Sequence, residues 1–507
     1  MLISDFIGQS ARQHPEKPAV WYKDAWMAYG KLDVRSNQLA NFLIETGVKR
    51  GDRVAILYEN SFNYIISYFA ILKAGAVAVP LNTDITLDVL AYYLNHSGSR
   101  ALISNTRFVR FVLPAVQQAP GLDHVILEHE DLSTLEGKLS CRTSRLQDVF
   151  EKASEDPPDV RLIDIDSASI IYTSGSTGSP KGVLLSHSNV VSNTESIVEY
   201  LHLTADDRIM VTLPFCYIYG QSLLTTHFSV GGSVVIENQF FYPKIILRTM
   251  KKTKVTGFSG VPSTFMRMLN RSAVRETELE TLRYVTQAGG HMAPAIREEV
   301  ARAFVPAQLY IMYGATEAAP RLTYLEPSKL SEKLSSIGKA IPNVEVLVVD
   351  KQGQPVAPHQ TGEIVARGSN IMVGYWNDPQ ATDEVIRDGY YHTGDLGQVD
   401  EEGYIYVVGR LKDMIKSNGF RVSAREVEDA IMEIDGIVEV AVKSVEDEDT
   451  GEAIKAFLVL RDGEQTSFEE IRRKLKGRLP EYKIPRHVEI RDDLPKNASG
   501  KIMKNEL

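Results

Sequence analysis

Three features of the 507-residue sequence predict an α/β protein: a large, multi-subdomain N-terminal domain of α/β layers plus a β-rich part, followed by a small α+β C-terminal domain. Strand-like apolar runs alternate with helical periodicity from Arg53 to about Phe258. From about Ile337 short strands follow one another between turn signals. After Lys412 two capped helices bracket further strand-like runs.

Arg53-Val54-Ala55-Ile56-Leu57 reads as a strand, and Asn60-Ser61 caps a helix with Ile65, Tyr68, Phe69 and Leu72 on one face. Gly75 ends that helix, and Ala76 to Leu81 is the next buried strand, which completes a βαβ unit. Its turn is Leu57-Tyr58-Glu59-Asn60 rather than G-x-G-x-x-G, which argues against a dinucleotide site. A helix around Leu87 to Leu94 and a strand at Ala101 to Ser104 come next. Residues 154–166 hold five acidic residues and two adjacent prolines, the composition of an exposed connector. Ser169 to Thr173 is then a strand that enters a loop, and a helix with Val191, Ile197, Val198 and Leu201 on its apolar side follows Ser186-His187-Ser188. The alternation continues through strands at 208–213, 233–236 and 255–258.

The β-rich part, about 337–411, reads as strands at 344–349, 362–367 and 404–408, with no helix of its own. Beyond it, Ser423 with Glu426 and Ser467 with Glu470 are capping boxes for two helices, and strands lie at 438–445 and 456–460. The domains are drawn accordingly at 1–411 and 412–507.

The formal net charge of −10 argues against a nucleic-acid partner held through a general basic surface. Cys141 and Cys216 stand far apart, which indicates neither a disulfide framework nor a zinc site. Met1 to Phe6 lacks the pattern of a secretory signal, and no segment reaches the roughly 18 apolar residues of a membrane span. A cytoplasmic protein without an integral membrane segment is expected.

The loop that follows Ile171-Tyr172 is Thr173-Ser174-Gly175-Ser176-Thr177-Gly178-Ser179-Pro180-Lys181-Gly182. Glycines let a backbone approach an anion, hydroxyls and exposed N–H groups donate to it, and a lysine adds mobile positive charge. The Walker spacing is not met, so this is a phosphate loop of another kind, or, taken alone, a flexible connector.

Other stretches match in order. The loop resembles the signature of the adenylate-forming superfamily, which includes acyl-CoA synthetases, nonribosomal-peptide adenylation domains and firefly luciferase. Tyr313-Gly314-Ala315-Thr316-Glu317, Tyr391-His392-Thr393-Gly394-Asp395-Leu396, the Gly409-Arg410-Leu411-Lys412-Asp413 stretch with Ile415-Lys416, and Pro495 to Lys501 resemble its later motifs. The five motifs cover the chain from about residue 50 to its end. The resemblance implies a ligase that uses ATP and Mg²⁺ to make an acyl-adenylate, releasing pyrophosphate, before a thiol or another nucleophile displaces AMP.

The same resemblance implies roles residue by residue. Thr173, Ser174, Gly175, Ser176, Thr177, Gly178 and Lys181 would hold the β- and γ-phosphates. Glu317 would bind the metal and Thr316 the α-phosphate; Tyr313 would stack on adenine, with Gly290, His291 and Met292 along the adenine side. Asp395 would accept from both ribose hydroxyls and Arg410 would reach ribose or phosphate. Lys501 is the catalytic lysine of the first step, bridging the carboxylate and the α-phosphate. Lys412 is the hinge of a mobile C-terminal domain that would present Lys501 in one pose and Lys416 in the other.

For the acid pocket, Tyr217, Phe258, Ser259, Gly260, Val261, Ala288 and Gly289 mix aromatic, small and apolar character, which suits an acyl or aryl acid. Amino-acid-activating members resemble one another in an aspartate where this chain has Ile218, so an α-amino acid is not expected. Tyr217 stands where many aryl- and fatty-acyl-CoA ligases carry histidine, and Met312 replaces a common glycine. Arg321 reads as a solvent-exposed arginine, or as a partner for a second carboxylate. The leading expectation for the acceptor is coenzyme A. Loading of an acyl or peptidyl carrier protein and amide formation stay open beside it, ahead of a luciferase-like monooxygenase or a non-catalytic relative.

Overall fold

The structure, a computed structural model, describes residues 1–129, 132, 139, 141–173, 180–240, 242–411, 414–417, 420–447, 451–461, 463–497 and 500–507. Two twisted sheets dominate the large domain. One has eight strands in the order Gly374–Tyr375, Lys181–Ser186, Ser167–Thr173, Val77–Pro80, Arg53–Leu57, Ser99–Asn105, His124–Glu128, Arg142–Arg145. The other has nine, running from Lys339–Ala340 through Arg321–Leu325, Gln308–Gly314, Tyr284–Gln287, Gly257–Gly260, Arg208–Val211, Ser233–Ile236 and Pro18–Tyr22 to Ala25–Ala28.

Helices Tyr29–Glu45, Phe62–Lys73, His187–Leu201 and Ile218–Ser229 lie between the sheets and share one apolar core with both, from Val54 and Ile56 to Ile209 and Val211. Helices Pro243–Thr253, Pro262–Arg271 and Pro294–Ala303 cover the far face of the nine-stranded sheet, and Leu87–Ser97 and Val109–Gln117 that of the eight-stranded one. Such layering explains why the central strands read as continuous apolar runs: both faces are covered.

The sequence-level elements recur with shifts of a few residues. Ser61 caps its helix by accepting from Tyr64 N, and Ser423 and Ser467 cap theirs by accepting from Glu426 N and Glu470 N. Residues 154–166 form the irregular, mainly exposed connector that their composition predicts.

Three corrections follow. The phosphate loop is not a strand-to-helix loop: Lys181–Ser186 is a strand antiparallel to Ser167–Thr173, with Thr173 opposite Lys181, so the loop joins a hairpin. The helix begins only at His187, behind a reciprocal cap of Ser186 and Asn189. The β-rich part does carry a helix, Pro379–Val385, started by Asp378. The C-terminal part adds to its two expected strands a hairpin of Met414–Ser417 and Phe420–Ser423 and a further strand, His487–Ile490, parallel to Gly451–Leu460, around a core that includes Val427, Ile431, Val442, Leu458 and Ile471. No helix among the described residues is long and apolar enough to cross a membrane.

Candidate active site

Strand Gln308–Gly314 delivers Tyr313 to the rim of the nine-stranded sheet, where the chain turns through Thr316–Ala318 and returns as Arg321–Leu325. Gly314 is needed for that return: a Cβ there would lie 1.9 Å from the Pro320 carbonyl oxygen. The turn holds Thr316 and Glu317 half-buried at the edge of the β-rich part.

Asp395 comes from that part, on strand Tyr390–Val399, and is 7% exposed. Tyr313 donates its hydroxyl to Asp395 Oδ2 at 2.6 Å, and Arg410, directly opposite on the neighbouring strand, donates Nε to Oδ1 at 2.7 Å. Each carboxylate oxygen thereby has one fixed donor and keeps a second lone pair. This fits the recognition of two adjacent hydroxyls. Burial, and then the Asp395 charge, pushes the Tyr313 phenol well up, so it stays a donor.

A second cluster stands on the edge of the eight-stranded sheet. Tyr375 donates its hydroxyl to Glu317 Oε1 at 2.7 Å, while Lys181 Nζ lies 4.9 Å from the centre of the Tyr375 ring. Burial, followed by the Glu317 charge, raises the Tyr375 phenol as well. One aromatic residue thus holds the phosphate-loop lysine and the candidate metal ligand in a common frame. A cavity of about 170 Å³ opens beside them, lined in part by Tyr92, His96, Lys181, Tyr375 and Trp376. No group of three or more His, Cys, Asp or Glu among the described residues is arranged to hold a metal ion. One carboxylate with substrate phosphates is the donor set that suits Mg²⁺, so Glu317 fits that ion.

The small domain closes over this surface. Gly500 rests on the start of helix Pro262–Arg271, where Ser263 donates its hydroxyl to the Gly500 carbonyl at 3.2 Å. Gly500 has φ +80, and a Cβ there would meet Ser263 Oγ at 2.6 Å and Val261 Cγ2 at 2.9 Å. Lys501 follows, exposed, its backbone N–H held by Asn497 Oδ1 at 3.0 Å. On the same side, His291 hydrogen-bonds Asp429 of helix Ala424–Met432. Burial, helped by Arg425, lowers the His291 imidazole to about 4, so this bond joins a neutral ring to a carboxylate. The Arg425 side chain is 15% exposed, and the negative charges around it include Asp429 and Asp395.

The pocket residues divide. Val261 and Ala288 belong to the core between the sheets, with Gly289 beside Val261 and Tyr219. Ser259 shares a hydrogen bond of 2.7 Å with Thr286 on that same face. Phe258 does not line it: its ring packs with Phe265 and Phe304 on the opposite face, because successive strand residues alternate. Gly260 shares Phe258's side of the strand and contributes only backbone, its carbonyl accepting from Ala288 N at 3.3 Å. Met292 is likewise corrected. Its side chain is 2% exposed within the Phe258 core, and its carbonyl accepts from Arg297. Tyr217 caps helix Ile218–Ser229, half-buried, its phenol raised by burial.

Ser174, Gly175, Ser176, Thr177, Gly178 and Lys412 lie outside the described residues, as does the side chain of Lys416. Tyr375, Arg425 and Asp429 were not foreseen. Tyr375 follows Gly374 outside every quoted motif, and Arg425 lies inside a capping box that reads only as a helix start.

The AMP-binding enzyme family model matches residues 7–376, and the AMP-binding enzyme C-terminal domain model matches residues 426–501. The chain is 35% identical over 499 residues to a feruloyl-CoA synthase from an Amycolatopsis species, covering 98% of this chain and 96% of that protein. It is 34% identical over 541 residues to a long-chain-fatty-acid–CoA ligase from Escherichia coli O157:H7, covering 100% and 94%. Among solved structures, ATP-bound MatB from Rhodopseudomonas palustris aligns with a TM-score of 0.87 at 29% identity, covering 100% of this chain and 98% of that one. MenE from Bacillus subtilis, an o-succinylbenzoate CoA synthetase in complex with ATP and magnesium ion, aligns at 0.85 and 28% identity, covering 99% and 98%. The chain belongs to the AMP-binding enzyme family of adenylate-forming enzymes and is an AMP-forming acid–thiol ligase.

Proposed function

We propose that the enzyme activates an acyl or aryl carboxylic acid with ATP and Mg²⁺ and passes the acyl group to coenzyme A. In the first step the carboxylate oxygen bonds to the α-phosphorus, and pyrophosphate departs with the electron pair of the broken P–O bond. In the second, the thiol sulfur bonds to the acyl carbon, its proton is lost, and AMP departs. The observation that carries this reading is the docking of the Gly500–Lys501 loop on Val261 and Ser263, beside Gly289 and Gly290.

In this reading Asp395, with Arg410 and Tyr313 fixed upon it, holds the ribose, and Tyr313 offers its ring to adenine along Gly290 and His291. Glu317, oriented by Tyr375, holds the metal with the phosphates, whose charge the ion neutralises. Thr316 contacts the α-phosphate, and the loop from Thr173 to Gly178 with Lys181 grips the β- and γ-phosphates. Lys501 stabilises charge at the α-phosphorus.

The domains are 1–411 and 412–507, with Lys412 the hinge and Lys416 presented in the second pose. The present contacts of Gly500 and Asp429 fit the pose for the first step. The named relatives act on a feruloyl acid and on long-chain fatty acids, which supports an acyl or aryl acid and coenzyme A as acceptor. The protein works in the cytoplasm, where all three substrates are found.

The test measures acid-dependent pyrophosphate release across fatty, aromatic, dicarboxylic and amino acids, then thioester formation with coenzyme A or a phosphopantetheinyl carrier protein. Saturable dependence on coenzyme A is expected. Release of pyrophosphate without any thioester, or a strict need for a carrier protein, would move the reading to another acceptor.

A further inference from the structure

The buried charges outside the nucleotide site divide by what they hold. Arg297, 2% exposed, gives its donors to the carbonyls of Met292, Leu334 and Ser336, which is the form a structural arginine takes. Arg321 is 3% exposed, with its guanidinium 4.5 Å over the Tyr219 ring and beside Tyr200. Its solvent-exposed reading is therefore corrected, and it too packs the large domain. A third set of charges, in the small domain, surrounds the segment that carries Lys501.

That segment leaves and re-enters the small domain side by side. Met503 N–H donates to the Pro495 carbonyl at 2.8 Å, Lys496 pairs with Ile502, and Asn497 N–H donates to the Lys501 carbonyl at 2.9 Å. Lys501 itself is exposed, so its placement depends on how the segment is anchored. Both ends are held by charge. At one end Lys496 Nζ lies 2.6 Å from Asp493 Oδ1 and 2.7 Å from Glu439 Oε2, two carboxylates whose charge also reaches Arg267 on the large-domain helix Pro262–Arg271. At the other end Lys504 Nζ, three residues after Lys501, lies 2.6 Å from Glu428 Oε1.

Glu428 is tied on two sides. Its side chain is 15% exposed, and the same Oε1 accepts from Val442 N at 2.8 Å on strand Ile437–Asp447. Burial raises its carboxyl, and the Lys504 charge opposes that rise. It stands on helix Ala424–Met432 directly before Asp429, which meets His291 of the large domain. One helix thus carries, at neighbouring positions, a contact that docks the domain and the anchor of the segment that delivers Lys501.

We infer that Glu428 and Lys504 are positioning residues for adenylate formation: their ion pair ties the Lys501 segment to the helix that docks on His291. The inference rests on the ligase reading above. An ammonium on a flexible four-carbon stem stabilises charge in a transition state only where its backbone is fixed, and a small misplacement costs up to about a hundredfold. The second half-reaction does not use Lys501, so the pair has no part in it.

The experiment measures pyrophosphate release, and separately thioester formation from a supplied acyl-adenylate, for the intact chain, Glu428→Gln, Lys504→Met and Lys504→Arg. The acid is the one that releases pyrophosphate fastest among fatty, aromatic, dicarboxylic and amino acids, and Tm is recorded for each variant. Glu428→Gln removes the charge but keeps an oxygen for Val442 N, which limits damage to the fold. The expected result is a fall in kcat for pyrophosphate release of about 10- to 100-fold in Glu428→Gln and Lys504→Met, with both KM values and the thioester step within about twofold. Lys504→Arg should keep most of the rate, and the double variant Glu428→Gln/Lys504→Met should be no slower than the slower single one. Equal losses in both half-reactions that track Tm would overturn the inference and reduce the pair to small-domain stability. Unchanged pyrophosphate release in Glu428→Gln and Lys504→Met would overturn it as well. No pyrophosphate release by the intact chain with any of these acids would instead overturn the ligase reading, and the inference with it.

Discussion

Gly500→Ala separates the two half-reactions on geometric grounds. The residue has φ +80, where an alanine is strained by about 1–2 kcal/mol. In the docked pose its new Cβ would also stand 2.6 Å from Ser263 Oγ and 2.9 Å from Val261 Cγ2. Relieving that overlap displaces the loop at a further cost of about 1–2 kcal/mol, the low end for overpacking. The sum, about 2–4 kcal/mol, corresponds to a loss of roughly 30- to 900-fold in the step that needs this docking. Pyrophosphate release reads the first half-reaction, and thioester formation from a supplied acyl-adenylate reads the second. The first should fall by that amount, while the second changes by no more than the share due to φ. Adding Ser263→Ala removes the closest overlap and should recover about tenfold in the first half-reaction only. Equal losses in both half-reactions, or no recovery in the double variant, would refute the assignment of this docking to adenylate formation.

Three further expectations follow from the site. Asp395→Asn removes the charge that pairs with Arg410, so the KM for ATP should rise about 10- to 100-fold, as for loss of hydrogen bonds to a charged group; an unchanged KM would count against the ribose role. Tyr375→Phe deletes one hydrogen bond to Glu317, worth about 1 kcal/mol, and should raise the Mg²⁺ concentration for half-maximal rate several-fold while leaving the KM for the acid alone. Buried His187 and His227 titrate at about 4 in the fold, lowered chiefly by burial, against about 6.5 when unfolded. Between those values the unfolded chain binds more protons, so Tm should be flat above about pH 7 and fall as pH drops toward 4. A Tm that rises between pH 7 and 5 would contradict their neutral burial.

The parts of the site that were legible in the sequence are those whose residues sit in short motifs with a local reason for their order. Gly314 permits the return that carries Thr316 and Glu317, and Asp395 faces Arg410 through the pairing of two consecutive strands. Less legible were partners joined only by tertiary structure. Tyr375 reaches Glu317 across 58 residues, and Asp429 meets His291 across 138. Strand parity misled at Phe258, because in Gly257-Phe258-Ser259-Gly260 the glycines hide which face is apolar. The burial of Arg321 was equally hidden, since it depends on the ring of Tyr219 arriving from a helix about a hundred residues earlier. The strand after the phosphate loop was missed for a related reason: Lys181-Gly182 opens it with residues that favour loops, and only pairing with Ser167–Thr173 extends it.

That hairpin bears on turnover. A loop seated at a helix N-terminus would face a standing charge of about half a unit, which attracts an anion before and after the reaction alike. Here the loop is carried between two antiparallel strands, whose dipoles largely cancel, and Lys181 is the cation at its exit. With the roles proposed above, the attraction for pyrophosphate would rest on Lys181 and the loop's own donors rather than on a helix dipole. In the proposed function the nucleoside end belongs to Asp395 on a separate sheet, so the first product would depart while the activated acid is kept for the thiol.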